Sequence, residues 1–510
     1  MASQSNTAQV WHEVEARRED YFALSDRVWG MPELNYAEHR SAAEHRQMLE
    51  REGFRVTENV AGIPTAVMGE AGEDGPVIAI LGEYDALPGL SQEAGVAEHR
   101  PLEAGGSGHG CGHNILGSAS LLAATAVKNW LAANGLKGRV RYYGCPAEEG
   151  GSAKGFMVRD GAFDDVDVAI CWHPAHFSGV NQAYSLACME VDFAFTGRSS
   201  HAAAAPHLGR SALDAVELMN VGVNYMREHM PSHARIHYAI QDAGGIAPNV
   251  VQGKARVRYL IRAHTMSEVL GLLERVKKIA QGAALMSETQ VEERVLSADA
   301  ELVGNRPLEE VMEANFQRLG PPRFDPADHD FARQIQATLS PEDISAAYKR
   351  AGIPPMKDEA LAERLMPLDR PLSEGIGSTD VGSVSWKVPT VQARGATHAV
   401  GTPGHSWQIV AQGKAGAAHK GLEHVAKVMA GTAADLFKDP ALVEKAKAEH
   451  AARTADSPSV FPIPKGSSRP STWPAATEEA ARRLQRRRAS PPPQTRWIPM
   501  ASVSSSARAS

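Results

Sequence analysis

Cysteine is scarce in this sequence, with 4 in 510 residues. So few cysteines cannot form a disulfide framework, and in a reducing compartment a cysteine near a histidine is better interpreted as a metal ligand or a nucleophile. Long apolar runs are also missing, since none reaches the roughly 18 residues that span a bilayer. The first residues, MASQSNTAQVWHEVEARRED, are polar where a signal peptide would be apolar. We therefore expect a cytoplasmic protein with no membrane partner.

A basic surface is missing from most of the chain. There are 53 Lys and Arg against 60 Asp and Glu, a formal charge of -7, so nucleic acid is not an expected partner. Residues 466–510 hold eight Arg, no Lys and two Glu; subtracting their +6 from -7 leaves -13 on residues 1–465. This Arg-rich tail has few aliphatic residues, so it cannot bury enough surface to offset its ordering entropy. We predict that it is disordered.

The first part of the chain alternates helical and strand patterns. Helical periodicity is followed by a short apolar run, PVIAILG, and then by further helices and strands; the predicted helices cover 9–29, 36–52 and 115–135, and the strands 76–82, 139–144 and 166–171. Such alternation predicts an α/β fold with a mostly parallel sheet flanked by helices. A strand, VPTVQA, and a long helix near residue 430 are expected to complete this domain.

A different pattern occupies residues 189–298. Its strands alternate apolar and polar residues, and the order of elements is β-α-β-β-α-β, as in ferredoxin-like α+β domains. We predict a catalytic domain over 1–188 and 299–450, an inserted lid or dimerisation domain over 189–298, and a C-terminal tail over 451–510 that is disordered from about 466.

Four short segments combine metal-capable side chains, each beside a predicted strand or helix end. They are GHGCGHN with Cys111 and His113, GCPAEEGG with Glu148 and Glu149, the CWH sequence ending at His173, and GTPGHSW with His405. Alone, each has an ordinary interpretation: a surface histidine, a solvated glutamate pair or a small buried thiol. Their shared placement at one edge of a parallel sheet favours a common site.

The residue types suggest how many ions such a site would hold. A Cys, three His and a Glu are too many ligands for one tetrahedral ion and too few for two closed sites, so two ions with open positions suit them. Thiolate and imidazole suit Zn²⁺, while carboxylate suits Mn²⁺.

Eight segments in order resemble the aminoacylase/carboxypeptidase superfamily of dinuclear metallohydrolases. They are LGEYDALPGL, GHGCGHN, GCPAEEGGSAKGFMVRDGAFDDVD, GRSSHAAAAPHLGRSALDAV, GGIAPNVV, STDVG, VSWKVP and GTPGHSW, and the resemblance covers about residues 10–465. It implies that the metal ligands are Cys111, His113, Glu149, His173 and His405. It also implies that Glu148 is the general base and that Asp85 orients a ligand. The more common His-x-Asp motif reads Glu83-Tyr84-Asp85 here, so the first histidine ligand is absent.

The resemblance also implies substrate contacts in the inserted domain. His201, Asn249 and Arg262 fall at such positions, and His201 would reach the site of a neighbouring subunit in a dimer. From the residues alone, Asn249 could equally be a turn residue and Arg262 a solvent-facing strand residue. The partners expected are an acyl-amino acid and either a second copy of the chain or a related subunit.

The activity implied is a metal-dependent amidohydrolase that cleaves p-aminobenzoyl-glutamate to p-aminobenzoate and glutamate. A dipeptidase or a general N-acyl-amino-acid hydrolase would use the same metal core. A catalytically silent partner of a related hydrolase is a third possibility. The complete Cys, His and Glu set argues against silence, because a binding module has no use for Glu148.

Overall fold

The computed structural model describes residues 2–371, 377–455, 463–464 and 466–467. The predicted disordered tail therefore lies outside the described residues, apart from its first two positions. The helices are α1 (Ala2–Trp29), α2 (His39–Arg51), α3 (His113–Asn134), α4 (Ala153–Arg159), α5 (Ala212–Met226), α6 (Met266–Met286), α7 (Arg306–Leu319), α8 (Pro326–Gln336), α9 (Pro341–Ala351), α10 (Val381–Lys387), α11 (Trp407–Gln412), α12 (Gly416–Lys438) and α13 (Pro440–Thr454).

The strands form two separate sheets. They are β1 (Arg55–Glu58), β2 (Val67–Glu73), β3 (Val77–Glu83), β4 (Gly138–Cys145), β5 (Val168–Ala175), β6 (Gly179–Val180), β7 (Ala187–Thr196), β8 (Arg235–Asp242), β9 (Lys254–Ala263), β10 (Gln290–Asp299) and β11 (Thr390–Ala396). The larger sheet has the order β1-β2-β4-β3-β5-β11-β6, and the smaller one β10-β7-β9-β8.

Parallel pairing dominates the centre of the larger sheet. Strands β4, β3, β5 and β11 are parallel neighbours, whereas β1, β2 and β6 add antiparallel edges. Alternate residues of β5 enter different cores: Ile170 and Trp172 pack with α3 and α12, and Ala169 and Cys171 with α4 and α10. Both faces are thus covered, which explains the continuous apolar strands. The predicted α/β fold with a mostly parallel sheet is confirmed.

The smaller sheet is antiparallel and comes from residues 187–299. Strand β10 lies beside β7, β7 beside β9, and β9 beside β8, with α5 and α6 as the two crossover helices. This is the ferredoxin-like arrangement predicted from the β-α-β-β-α-β pattern. The division into catalytic and lid domains, and a role for this sheet in closure or dimerisation, stay predictions.

Helix α3 is long and almost entirely buried. By length and composition it could cross a membrane, but 83% of its apolar window is buried inside the protein. It packs against α1, α2, α12 and four strands of the larger sheet, β2, β3, β4 and β5. Its burial is that of a core helix, and its first residue is His113.

Candidate metal centre

The predicted ligands meet at the carboxyl edge of the larger sheet. Parallel strands end together there, and the connections that follow them come close in space. The contributing positions, in chain order, are Glu83 at the end of β3, Cys111 and His113 at the start of α3, Glu148 and Glu149 after β4, His173 near the end of β5 and His405 in the turn before α11.

The five predicted ligands form two groups that share one thiol. Cys111 lies with His113 and His173 in one group and with Glu149 and His405 in the other, and within each group the donor atoms lie within 4.8 Å of one another. The Sγ of Cys111 is 3.3 Å from Nε2 of His173. Nε2 of His405 is 3.3 Å from Oε2 of Glu149. The shared Cys111 makes two adjacent cation positions possible.

Hydrogen bonds fix which nitrogen of each buried histidine faces the centre. Nδ1 of His113 donates to Oδ1 of Asp85 at 2.8 Å, and Nδ1 of His173 donates to the carbonyl of Pro174 at 2.8 Å. The Nε2 atoms are therefore the ones that face the centre, and in the neutral rings they carry the lone pairs that a metal-binding histidine uses. Asp85 also accepts a 2.9 Å hydrogen bond from the backbone of Glu149. One carboxylate thus holds two of the predicted ligands.

Three buried atoms at the centre have no hydrogen-bond partner among the described residues. They are Oε2 of Glu83, Nε2 of His113 and Oε1 of Glu149. Oε2 of Glu83 lies 3.4 Å from Nε2 of His113, and Oε1 of Glu149 lies 3.9 Å from the same nitrogen. Buried polar atoms are nearly always satisfied, and facing lone pairs repel unless a positive charge lies between them. The residues present therefore fit a bound cation.

Two non-glycine residues of the centre adopt left-handed backbone angles. Ala147, directly before Glu148, has φ 54°, and His405 has φ 57°. Such conformations cost about 1 to 2 kcal/mol for an L-residue and concentrate at functional sites. Gly112, between Cys111 and His113, has φ 78°, where glycine has no such cost. These turns direct side chains from three separate loops to one place.

Burial shapes the electrostatics of the acidic groups. Burial, together with the carboxylates of Glu83 and Glu149, raises the pKa of Glu148 well above its ordinary value. Burial likewise raises the pKa of the Cys111 thiol, and Glu149 adds to the shift. A bound cation would oppose both effects, because it stabilises thiolate and carboxylate.

Three charged residues beside the centre are missed by sequence reasoning. From the sequence, Glu83 is only a departure from a histidine, Asp380 is only part of STDVG, and Lys154 has no assigned role. The structure buries all three and joins them through Nζ of Lys154, which donates to Glu83 at 2.6 Å and to Asp380 at 2.7 Å. A lysine beside glycines carries no sequence signal for such burial.

The three predicted substrate contacts lie apart from the metal-capable groups. His201 and Asn249 are exposed, and their segments pair through a 3.0 Å hydrogen bond from the backbone of Ala202 to the Asn249 carbonyl. Arg262 lies on β9, and its guanidinium donates to Oγ of Ser378 at 2.8 Å. Arg262 therefore reaches the segment that carries Asp380. Within the described part of the chain, neither His201 nor Asn249 forms a hydrogen bond or ion pair with the metal-capable residues.

Comparison with known proteins identifies the family of this chain. The model of the family described as peptidase family M20/M25/M40 matches residues 79–448. One relative is a subunit of the p-aminobenzoyl-glutamate hydrolase of Escherichia coli (strain K12). The two chains are 47% identical over 462 residues, which is 89% of this chain and 96% of that protein.

Two solved structures share the fold. The aminobenzoyl-glutamate utilization protein from Klebsiella pneumoniae has a TM-score of 0.56 at 17% identity, covering 83% of this chain and 98% of its own. The Bacillus subtilis YXEP protein, described as a dinuclear metal binding peptidase from the M20 family, has a TM-score of 0.50 at 16% identity, covering 82% and 98%.

The fold, the cluster of metal-capable residues and these relatives define a metal-dependent hydrolase of amide bonds. Within that class, the chain belongs to peptidase family M20/M25/M40.

Proposed function

We propose that this chain hydrolyses the amide bond of p-aminobenzoyl-glutamate, giving p-aminobenzoate and glutamate. The observation that carries the proposal is the pair of donor groups sharing Cys111, with Glu148 beside them. The substrate follows from the relative that is 47% identical along nearly its whole length. We assign Cys111, His113, Glu149, His173 and His405 as ligands of two divalent ions.

Two such ions would lower the pKa of a water molecule and polarise the amide carbonyl. Glu148 would accept the proton of the attacking water and deliver it to the leaving nitrogen. The position of Glu148 supports this role, because its carboxylate lies in one group with Glu83 and His113 and is not among the proposed ligands. Asp85 would hold His113 and the backbone of Glu149 in place throughout.

The substrate carboxylates need a cation outside the metal centre. We assign this role to Arg262, with His201 and Asn249 as further contacts. The support is that Arg262 extends from the smaller sheet to Ser378, two residues before Asp380 and hence towards the centre. A guanidinium binds a carboxylate through two parallel hydrogen bonds.

Assembly, metal and compartment complete the proposal. We propose a homodimer or a complex with a related subunit, because the relative from Escherichia coli is itself named as one subunit of a hydrolase. The ions are Mn²⁺ or Zn²⁺, since the donors combine one thiol and carboxylate with imidazoles. The cytoplasm is the proposed compartment, because a reducing environment keeps Cys111 available as a free thiol.

Purified protein supplied with Mn²⁺ or Zn²⁺ tests the proposal. Release of p-aminobenzoate is measured against release of amino acids from other acyl-amino acids and from dipeptides, with Glu148→Gln as the control. We expect the highest kcat/KM on p-aminobenzoyl-glutamate. A preference for dipeptides would replace the substrate, and metal binding without hydrolysis of any of these amides would favour the catalytically silent alternative.

A further inference from the structure

Glu83 ends β3 directly beneath the metal-capable groups. Its side chain is only 5% exposed, and its two carboxylate oxygens have different surroundings. Oε1 accepts a 2.6 Å hydrogen bond from Nζ of Lys154. Oε2 has no hydrogen-bond partner among the described residues and lies 3.4 Å from the equally unpartnered Nε2 of His113. The free oxygen is thus directed at the histidine that also belongs to the first donor group.

Lys154 and Asp380 hold this orientation. Both are fully buried, and Nζ of Lys154 donates to Oδ1 of Asp380 at 2.7 Å. The backbone nitrogen of Lys154 donates to the other carboxylate oxygen of Asp380 at 2.9 Å. The start of α4 and the residue before α10 are therefore joined at two points. The ammonium is fixed in place, and Glu83 cannot turn away without losing its ion pair.

The carboxylates of this cluster outnumber its single lysine. One lysine faces two carboxylates, Glu83 and Asp380. A third carboxylate, that of Glu148, lies with Glu83 and His113 in a group whose donor atoms are within 4.8 Å of one another. Buried charges are stable only when they are paired or bind a metal. A further positive charge between Glu83 and His113 would satisfy both unpartnered atoms.

We propose that Glu83 is an additional ligand of the cation bound by His113, and that Lys154 and Asp380 are positioning residues that direct its free oxygen. This inference rests on the proposed function, since it assumes that the centre binds metal. A carboxylate is a hard oxygen ligand. Adding Glu83 to the ligands of the cation bound by His113 therefore favours Mn²⁺ relative to Zn²⁺. The second cation, bound by Cys111, Glu149 and His405, would not have this added ligand.

The competing explanation is that Glu83 serves only as the ion-pair partner of Lys154. In that case Glu83→Gln lowers the stability of the metal-free protein but changes neither metal affinity nor metal preference. If Glu83 instead shares a proton with His113, Glu83→Gln likewise leaves the metal preference unchanged. Metal affinity and the Mn²⁺/Zn²⁺ ratio therefore separate these explanations from a ligand role.

Calorimetric titration of the metal-free full-length protein with Mn²⁺ and with Zn²⁺ tests the proposal. For Glu83→Gln we expect one of the two binding equivalents to weaken by about 10- to 100-fold, with a larger loss for Mn²⁺ than for Zn²⁺. The other equivalent should keep its affinity. Glu359→Gln is the matched control, because the side chain of Glu359 is also only 7% exposed and is paired with Arg364 away from the centre.

Lys154→Met tests the positioning role. We expect the same equivalent to weaken by about tenfold, with the same change in metal preference, because Glu83 loses the group that orients it. Lys420→Met is the control, since Lys420 also pairs with two carboxylates, those of Asp325 and Asp328, at a distant position. It should leave both equivalents unchanged.

The outcomes separate this inference from the proposed function. If the wild-type protein binds neither metal, the proposed function fails. If it binds two ions and Glu83→Gln binds both with unchanged affinity and preference, only the inference is overturned. Circular dichroism checks folding of each variant. If Glu83→Gln does not fold, Glu83→Asp takes its place: its shorter side chain keeps the charge but cannot reach Lys154 and the cation together, so unchanged metal binding there also overturns the inference.

Discussion

The two adjacent glutamates after β4 have different surroundings. Glu149 lies between His113 and His405, and Asp85 holds its backbone. Glu148 instead faces Glu83 and His113. One residue of separation along an irregular segment turns the two carboxylates towards different neighbours, so the proposed division between base and ligand has a geometric basis.

Substituting each glutamate by glutamine should therefore have different effects. Glu148→Gln is expected to bind metal normally and to lose about 10² to 10⁴-fold in kcat, because an amide cannot accept the proton. Glu149→Gln is expected to lose metal. Elemental analysis and steady-state kinetics of both variants measure this, and equal metal contents would contradict the assignment.

Cys111 is the residue shared by the two donor groups, so its loss should affect both. Cys111→Ser is expected to lower the affinity for both ions. Cys171→Ser should lower only the stability, because Cys171 is a buried thiol that packs with α4 and α10. The metal content after dialysis against limiting Mn²⁺ or Zn²⁺ is the measurement. Equal occupancy in the two variants would remove Cys111 from the site.

Among the helices and strands, the turn into α3 positions two ligands at once. Gly112 precedes the helix with φ 78°, and a Cβ there would lie 3.1 Å from Cγ of Pro174. Gly135 follows the same helix with φ 60°, and a Cβ there would meet nothing within 4 Å. A side chain at Gly112 would thus be strained and crowded, whereas a side chain at Gly135 would be strained but would have space around it.

Gly112→Ala and Gly135→Ala should separate stability from metal binding. Both are expected to lower the free energy of unfolding by about 1 kcal/mol or more, because alanine disfavours a positive φ. Only Gly112→Ala should also weaken metal binding, since it displaces Cys111 and His113. Chemical denaturation and metal titration of both variants are the measurements, and equal metal affinity would show that the turn can adjust.

Strand β9 connects the smaller sheet with the segment that carries Asp380, through Arg262 and Ser378. An acidic chain would repel a glutamate conjugate unless a local cation offset that repulsion. The proposed metal ligands belong to the larger sheet and its connections, whereas Arg262 belongs to the smaller sheet. Binding of a carboxylate by Arg262 would therefore fix the substrate between Arg262 and the metal ligands.

Arg262→Ala should lower kcat/KM for acyl-glutamates by roughly ten- to a hundredfold, since charge-assisted hydrogen bonds contribute about 1.5 to 3 kcal/mol. An analogue with an amidated α-carboxylate should be affected far less. Comparing kcat/KM of both substrates in both proteins is the measurement. An equal loss for the two substrates would mean that Arg262 acts through Ser378 on the structure and not on the carboxylate.

Across the molecule as a whole, several buried histidines are held neutral. Burial lowers the pKa of His45 to about 3 and that of His424 to about 4. In the unfolded chain these groups titrate near a pH of about 6.5. Between the two values the unfolded state binds protons that the folded state does not, so stability falls as the pH falls below about 6.5.

The fall in stability should be smaller without His45. From about pH 6.5 to 5 one such histidine costs about 2 kcal/mol of unfolding free energy, at about 1.4 kcal/mol per pH unit. His45→Gln should remove this share of the pH dependence, even if it lowers the stability at every pH by losing its hydrogen bond with Tyr142. Chemical denaturation of both proteins at both pH values measures this difference, and an unchanged pH dependence in His45→Gln would contradict it.

Apolar periodicity is enough to predict the regular elements with strong local patterns. The buried strand β3, the helix α3 and the ferredoxin-like order of residues 187–299 follow from it, because periodicity acts over neighbouring residues. The antiparallel strands β1 and β2 do not, because β2 joins the sheet by pairing with β4, some 70 residues away, and β1 joins it only through β2. The placement of four motifs beside predicted strand and helix ends also predicts that their metal-capable residues lie together, as they do in the structure.

Contacts between distant parts of the chain determine how these residues are supported. Lys154 meets Glu83 across 71 residues and Asp380 across 226, and no local pattern records such a pairing. The unpartnered oxygen of Glu83 is recognisable only because its other oxygen has a partner. The physical reason is that hydrogen bonds and charge balance in a buried site depend on distances between side chains from separate loops, whereas periodicity reports only which face of an element is buried.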